Sequence, residues 1–173
     1  MMAGPQVIKV IEIGPVPGLG VRWYNKFLKL AVADGAQLWV DKFIPKHFQK
    51  SATLRYGYKP RKGMEYARET KEFKDSYSGN KLRVKGHLIP LVFSGETREL
   101  AKESKVKPIA KRAEVRTPAR GLNRKHPASE INMREEFQTI LQVEHVEMAA
   151  RMELRFEREV DTLRQRRTRP IGG

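Results

Sequence analysis

All of the surplus positive charge in this 173-residue chain lies within residues 42–125, which hold 23 Lys and Arg against 8 Asp and Glu. The remaining residues hold 12 basic and 12 acidic side chains and cancel. This constrains the fold. Long apolar periodicity sits in the flanks, and residues 46–85 are too polar to offset their own chain entropy by burial. The expectation is a core built from flanking helices, with a long extended basic arm or loop over residues 44–86 held out from it. An apolar share of 39% is low enough to support only one modest core, hence a single domain over 1–173.

Residues 6–13 (QVIKVIEI) are rich in β-branched types and stop at Gly14 and Pro15, which reads as a strand. Residues 14–20 (GPVPGLG) form a turn-rich hinge. Over 21–43, Tyr24, Phe27, Leu28, Ala31, Leu38, Trp39 and Phe43 recur at three- and four-residue steps and so share one helical face. Asp34-Gly35 is a place for a kink, and Pro45 ends the helix. Within 63–77, Glu65, Glu69 and Glu72 interleave with Arg68, Lys71 and Lys74 at helix-supporting spacings. The rest of 46–85 reads as extended chain.

The most apolar short run, HLIPLVFS at 87–94, reads as a strand closed by Gly95. A short helix over 96–104 and a strand over 106–117 follow, so 87–117 is expected to hold a strand pair. The last helix is expected over 129–167, capped by Ser129 or Asn132. Its stripe is Phe137, Leu141, Met148, Met152, Phe156 and Leu163. It would be roughly 50 Å long, more than a domain of this size needs, so its outer turns should meet another subunit or stand in solvent. The fold class expected is α+β: a small antiparallel sheet packed on an N-terminal helix and a long C-terminal helix.

The chain has no cysteine, which removes disulfides, zinc ribbons, iron–sulfur sites and thiol nucleophiles. It also suits a reducing cytosol, or a particle assembled there. His47, His87, His126 and His145 show no HxxxH spacing, and the first three have a basic neighbour within two positions. Ser94 is not a nucleophile elbow, because Val92 stands where a glycine is required. GPVPGLG lacks the Lys-Ser/Thr ending of a phosphate loop. No catalytic residue, cofactor or metal site is therefore expected. A nuclease is disfavoured because the basic middle offers no acidic cluster for a divalent cation. No run approaches the roughly 18 apolar residues of a membrane span, and residues 1–20 do not read as a signal peptide.

What remains is charge interleaved with aromatics. In RYGYKPRKG, residues 55–63, Arg55, Tyr56, Tyr58, Lys59, Arg61 and Lys62 form the candidate set facing a partner or DNA. Cations can follow a phosphate backbone while rings stack on bases. The same composition equally serves a protein–protein arm.

The segment IPLVFSGETREL, residues 89–100, resembles a motif of tail-completion and neck proteins of tailed bacteriophages, on Pro90, Leu91, Val92, Ser94, Gly95 and Arg98. Glu96-Thr97 stands where such segments carry a leucine. IPKHF at 44–48, followed by RYGY and a lysine-rich run, resembles phage virion proteins of the same kind. The likeness spans roughly residues 21–117. It implies a non-enzymatic structural virion protein in a ring between capsid connector and tail. Partners would be copies of itself, neighbouring connector and tail proteins, and double-stranded DNA in the lumen, with no membrane. Location would be the virion, after assembly in the host bacterial cytoplasm. The competing expectation is a basic nucleic-acid-binding module, ribosome-associated or for DNA packaging.

Overall fold

The computed structural model describes residues 6–9, 19–92, 95–126 and 128–168, with the backbone alone for 6–9 and 167–168. The layout is helix-rich α+β. In chain order the elements are β1 (Gln6–Lys9), α1 (Val21–Leu38), α2 (Ala52–Tyr56), α3 (Lys71–Asp75), α4 (Tyr77–Lys85), α5 (Glu96–Lys102), β2 (Lys105–Ile109), β3 (Arg112–Arg116), α6 (Met133–Phe137) and α7 (Gln142–Thr168). Where the sequence pointed to one domain, the chain divides into two compact units. Among the described residues, unit 1 takes 41–92, 95–104, 117–126 and 128–141; unit 2 takes 6–9, 19–40, 105–116 and 142–168. The division splits the surplus charge almost evenly. Among the described residues, unit 1 carries 19 basic and 11 acidic residues, unit 2 carries 15 and 8. Both are cationic, and unit 2 owes most of its surplus to residues 105–116, with 5 basic side chains against 1 acidic.

In unit 2, α1 packs along α7 and carries the sheet. Of the α1 face expected from its spacing, Phe27, Leu28 and Ala31 are 3% exposed or less, and Val32 and Ala36, outside that stripe, are buried beside them. Tyr24 and Phe27 meet Phe156 edge to face, at 5.6 and 6.3 Å. Gly35 is not a kink. Met152 approaches it so closely that a Cβ there would collide with the methionine side chain, so the glycine serves close helix contact. Arg151 of α7 pairs with Asp34 of α1 at 2.8 Å.

The sheet is antiparallel with order β1-β3-β2. One strand was expected over 106–117; two are present, joined by Ala110-Lys111. Ala110 takes φ 48°, a left-handed conformation that two-residue hairpin loops demand and that Asn or Gly usually supplies. With alanine in that place the turn carries no sequence signal. Residues 10–13 of the expected first strand and 14–18 of the hinge lie outside the described residues.

Unit 1 holds the segment expected as an extended basic arm, and it is not an arm. After a π turn over Trp39–Phe43 and a 3-10 turn over Ile44–Phe48, the chain folds through α2, α3 and α4. Thr70 caps α3 by accepting from Phe73 N, and Ser76 caps α4 by accepting from Gly79 N. Gly86, at φ 68°, ends α4. The aromatics drive the collapse. His47, Phe48, Tyr56, Tyr58 and Phe137 are all at most 6% exposed, and the His47 ring stacks on Tyr56 at 3.8 Å.

Two other expectations fail within unit 1. Residues 87–92 form no strand: Pro90 lacks a donor, and the Ile89 carbonyl is taken by the Lys81 ammonium at 2.6 Å. The continuous helix over 129–167 is instead α6, a break at 138–141, and α7. Asn132, the rival cap, accepts from Arg134 N at 3.1 Å and starts α6. The Ser129 hydroxyl instead accepts from Lys62 N at 2.8 Å.

Candidate functional site

The RYGYKPRKG set is split by burial. Tyr56 and Tyr58 are 6% and 4% exposed, and Tyr58 shares a hydrogen bond with His47 Nδ1. They are spent on the core of unit 1 and cannot stack on bases. Arg61 is buried too. Its Nη1 and Nη2 donate to Glu136 Oε1 and Oε2 at 3.0 and 2.6 Å, a two-pronged pair, and Nη1 also reaches the Lys59 carbonyl at 3.0 Å. Glu136 Oε1 accepts in addition from Lys59 N at 3.0 Å. Only Arg55, Lys59 and Lys62 are exposed. The segment is therefore a structural strap closed by a carboxylate 75 residues away.

Of the motif residues, Pro90, Leu91 and Val92 are buried, Ser94 lies outside the described residues, and Arg98 is exposed, 4.0 Å from Glu99. Gly95 takes φ 86° at the N-terminus of α5, a turn that glycine makes without strain. Leu91 adopts φ 57°, costly for a side chain with a Cβ.

Leu91 and Val92 wall a cavity of about 260 Å³ inside unit 1, together with Leu122, Arg61, Lys81 and His126. Tyr77 packs edge-on against the His126 ring at 4.3 Å. Burial, then Arg61, holds the Lys81 ammonium down to about 8. Burial first, and next the charges of Arg61 and Lys81, outweigh Glu136 and hold His126 down to about 4. Sequence reasoning missed this cluster because its members are brought together from four separate segments.

Two surfaces of unit 2 complete the picture. Register places Lys105 opposite Arg116, Lys107 opposite Glu114, and Ile109 opposite Arg112. Strand alternation puts all of these on one sheet face, while Ala113 and Val115 point the other way and are buried. Among the described side chains, that face holds four exposed cations around one buried carboxylate, with Arg116 and Arg112 at 3.4 and 3.8 Å from Glu114. Like charges directly opposite, Lys105 and Arg116, repel. The second surface is a stripe on α7: Val143, Val146 and Leu154 are 62%, 60% and 61% exposed, at helical spacings of three and eight, with exposed Ala150 between them.

Among the described residues, no three His, Asp or Glu side chains group as a metal site, and no helix is long and apolar enough to cross a membrane. No protein-family model, curated protein or solved structure matches the chain.

Proposed function

We propose that this protein is a non-enzymatic structural subunit of a tailed-bacteriophage virion, forming part of the neck or tail-completion ring between capsid connector and tail. The observation that carries this reading is the apolar stripe on α7. Four small or medium apolar side chains aligned over about 16 Å of exposed helix form a contiguous patch of the kind that marks an association surface. A second copy of this chain is the occupant the reading requires. The resemblance around Pro90, Leu91, Val92 and Gly95 supports the same assignment.

Val146→Glu combined with Leu154→Glu tests it. Light scattering of the purified chain should give a ring-sized oligomer for the native protein and a monomer for the variant. Thermal stability should change by no more than about 0.5 kcal/mol, since both positions face solvent. A native chain that stays monomeric at high concentration would remove the idea.

The cationic sheet face favours a second, compatible reading, a surface that contacts nucleic acid. If its four cations meet four phosphates, affinity for duplex DNA should fall about a hundredfold between 50 and 200 mM salt. Lys105→Gln with Lys107→Gln should halve the logarithmic salt slope and leave the Glu114 pairs intact. A salt-independent affinity, or none at low salt, would exclude this reading.

A further inference from the structure

The cavity of unit 1 has an uneven balance of charge. Arg61 is answered by Glu136, and both oxygens of that carboxylate are already occupied by Arg61 and Lys59 N. Lys81 is 6% exposed. Its one hydrogen bond is to the Ile89 carbonyl, and no carboxylate lies within ion-pairing distance of it among the described residues. An ammonium carries three donors, so the buried charge is under-satisfied. His126 is 4% exposed and its Nδ1 has no hydrogen-bond partner among the described residues. Both side chains line the same cavity, whose apolar wall includes Leu91, Val92 and Leu122. A buried cation without a counter-charge is costly, and so is an unmet ring nitrogen.

We infer that this cavity is a binding site for a small organic acid, with its carboxylate set between Lys81 and His126 and its apolar body against Leu91, Val92 and Leu122. Size agrees. A dry cavity of about 150 Å³ suffices for benzene, so 260 Å³ admits a ring with a short carboxylate arm. Chemistry agrees as well. The carboxylate supplies the counter-charge that Lys81 lacks and, with the ring as its Nδ1–H tautomer, an acceptor for His126. Thr97 also lines the cavity, with its hydroxyl beside Gly121. The left-handed Leu91 backbone, φ 57°, is local strain of the kind held at ligand-binding walls. The depressed Lys81 and His126 values described above are what a site awaiting an anion would show.

The test uses the full chain at pH 7 with three probes: phenylacetate, its neutral isostere phenylacetamide, and inorganic phosphate. Calorimetric titration and thermal unfolding should show that phenylacetate binds and stabilises, and that the amide and phosphate do so at least roughly tenfold more weakly. Lys81→Met removes a buried charge at nearly constant volume and is expected to remain folded. It should lower phenylacetate affinity by about tenfold or more. The ¹⁵N resonances of the His126 ring should move on addition of phenylacetate to the native protein, which reports the site independently of any variant. Equal binding of acid and amide would overturn the inference, as would unchanged affinity in Lys81→Met or a silent His126 ring. Such failure would leave the assembly reading untouched, since that rests on α7.

Discussion

Glu136→Ala should destabilise unit 1 by about 3–5 kcal/mol, a large share of the roughly 5–15 kcal/mol that holds a domain folded. The side chain is only 10% exposed and Arg61 is 8% exposed. Alanine would strip the guanidinium of both carboxylate contacts and leave it with the Lys59 carbonyl alone. It would also orphan Lys59 N. The stranded charge lines a cavity that already holds Lys81, so like-charge repulsion adds to the desolvation cost. Urea titration is the measurement. Replacing both partners, Arg61→Met with Glu136→Met, should recover most of the loss, because an apolar pair of similar volume has no charge to strand. A loss below 1 kcal/mol in the single variant would show that the pair is hydrated and that residues 55–63 are not strapped down by it.

The second large effect is a loss of stability in mild acid. The His47 ring is fully buried, stacked on Tyr56 with Phe137 beside it at 5.4 Å. Burial first, and the nearby Arg55 charge second, hold its pKa down to about 3 against an ordinary 6.5. The folded state thus takes up a proton at His47 less readily than the unfolded chain does. The stabilisation is complete above pH 6.5 and drains away as pH falls from 6.5 toward 3. At pH 5 His47 alone should have cost about 2 kcal/mol relative to pH 8. His126, held down to about 4, acts in the same direction. His47→Gln should lower stability at neutral pH, because the stacking is lost, yet flatten its dependence between pH 7 and pH 4. An unchanged pH slope in that variant would mean that His47 takes up its proton equally readily in the folded and the unfolded chain.

What could be read from the sequence was local. The α1 face and the short helix after Gly95 depend on neighbours in the chain, and they stand where their spacing put them; Pro45 does not stop the helical path, which continues as a 3-10 turn over Ile44–Phe48. Pairings across long separations could not be read. A basic run such as 55–63 looks solvated until Glu136 closes on Arg61. The tyrosines of that run look available until His47 and Phe137 arrive. The break at 138–141 was invisible because Phe137 and Leu141 keep the helical stripe in step, while Phe137 in fact belongs to the aromatic core of unit 1. Helices α3 and α4 did leave a signal, Thr70, Ser76 and Gly86 at capping and stop positions, which outweighed their weak amphipathicity. The cavity left none. Lys81 reads as a surface lysine and His126 as a loop histidine until Leu91 and Leu122 come to lie beside them.

The division of the chain has a consequence for its birth on the ribosome. Helix α1 ends at Leu38 and the helix that covers it begins at Gln142. At about 5–20 residues per second, the face bearing Phe27, Leu28 and Val32 waits roughly 5–20 s for its cover. During that interval it is a ready target for holdase chaperones, and a nascent chain stalled short of α7 presents the same face to aggregation.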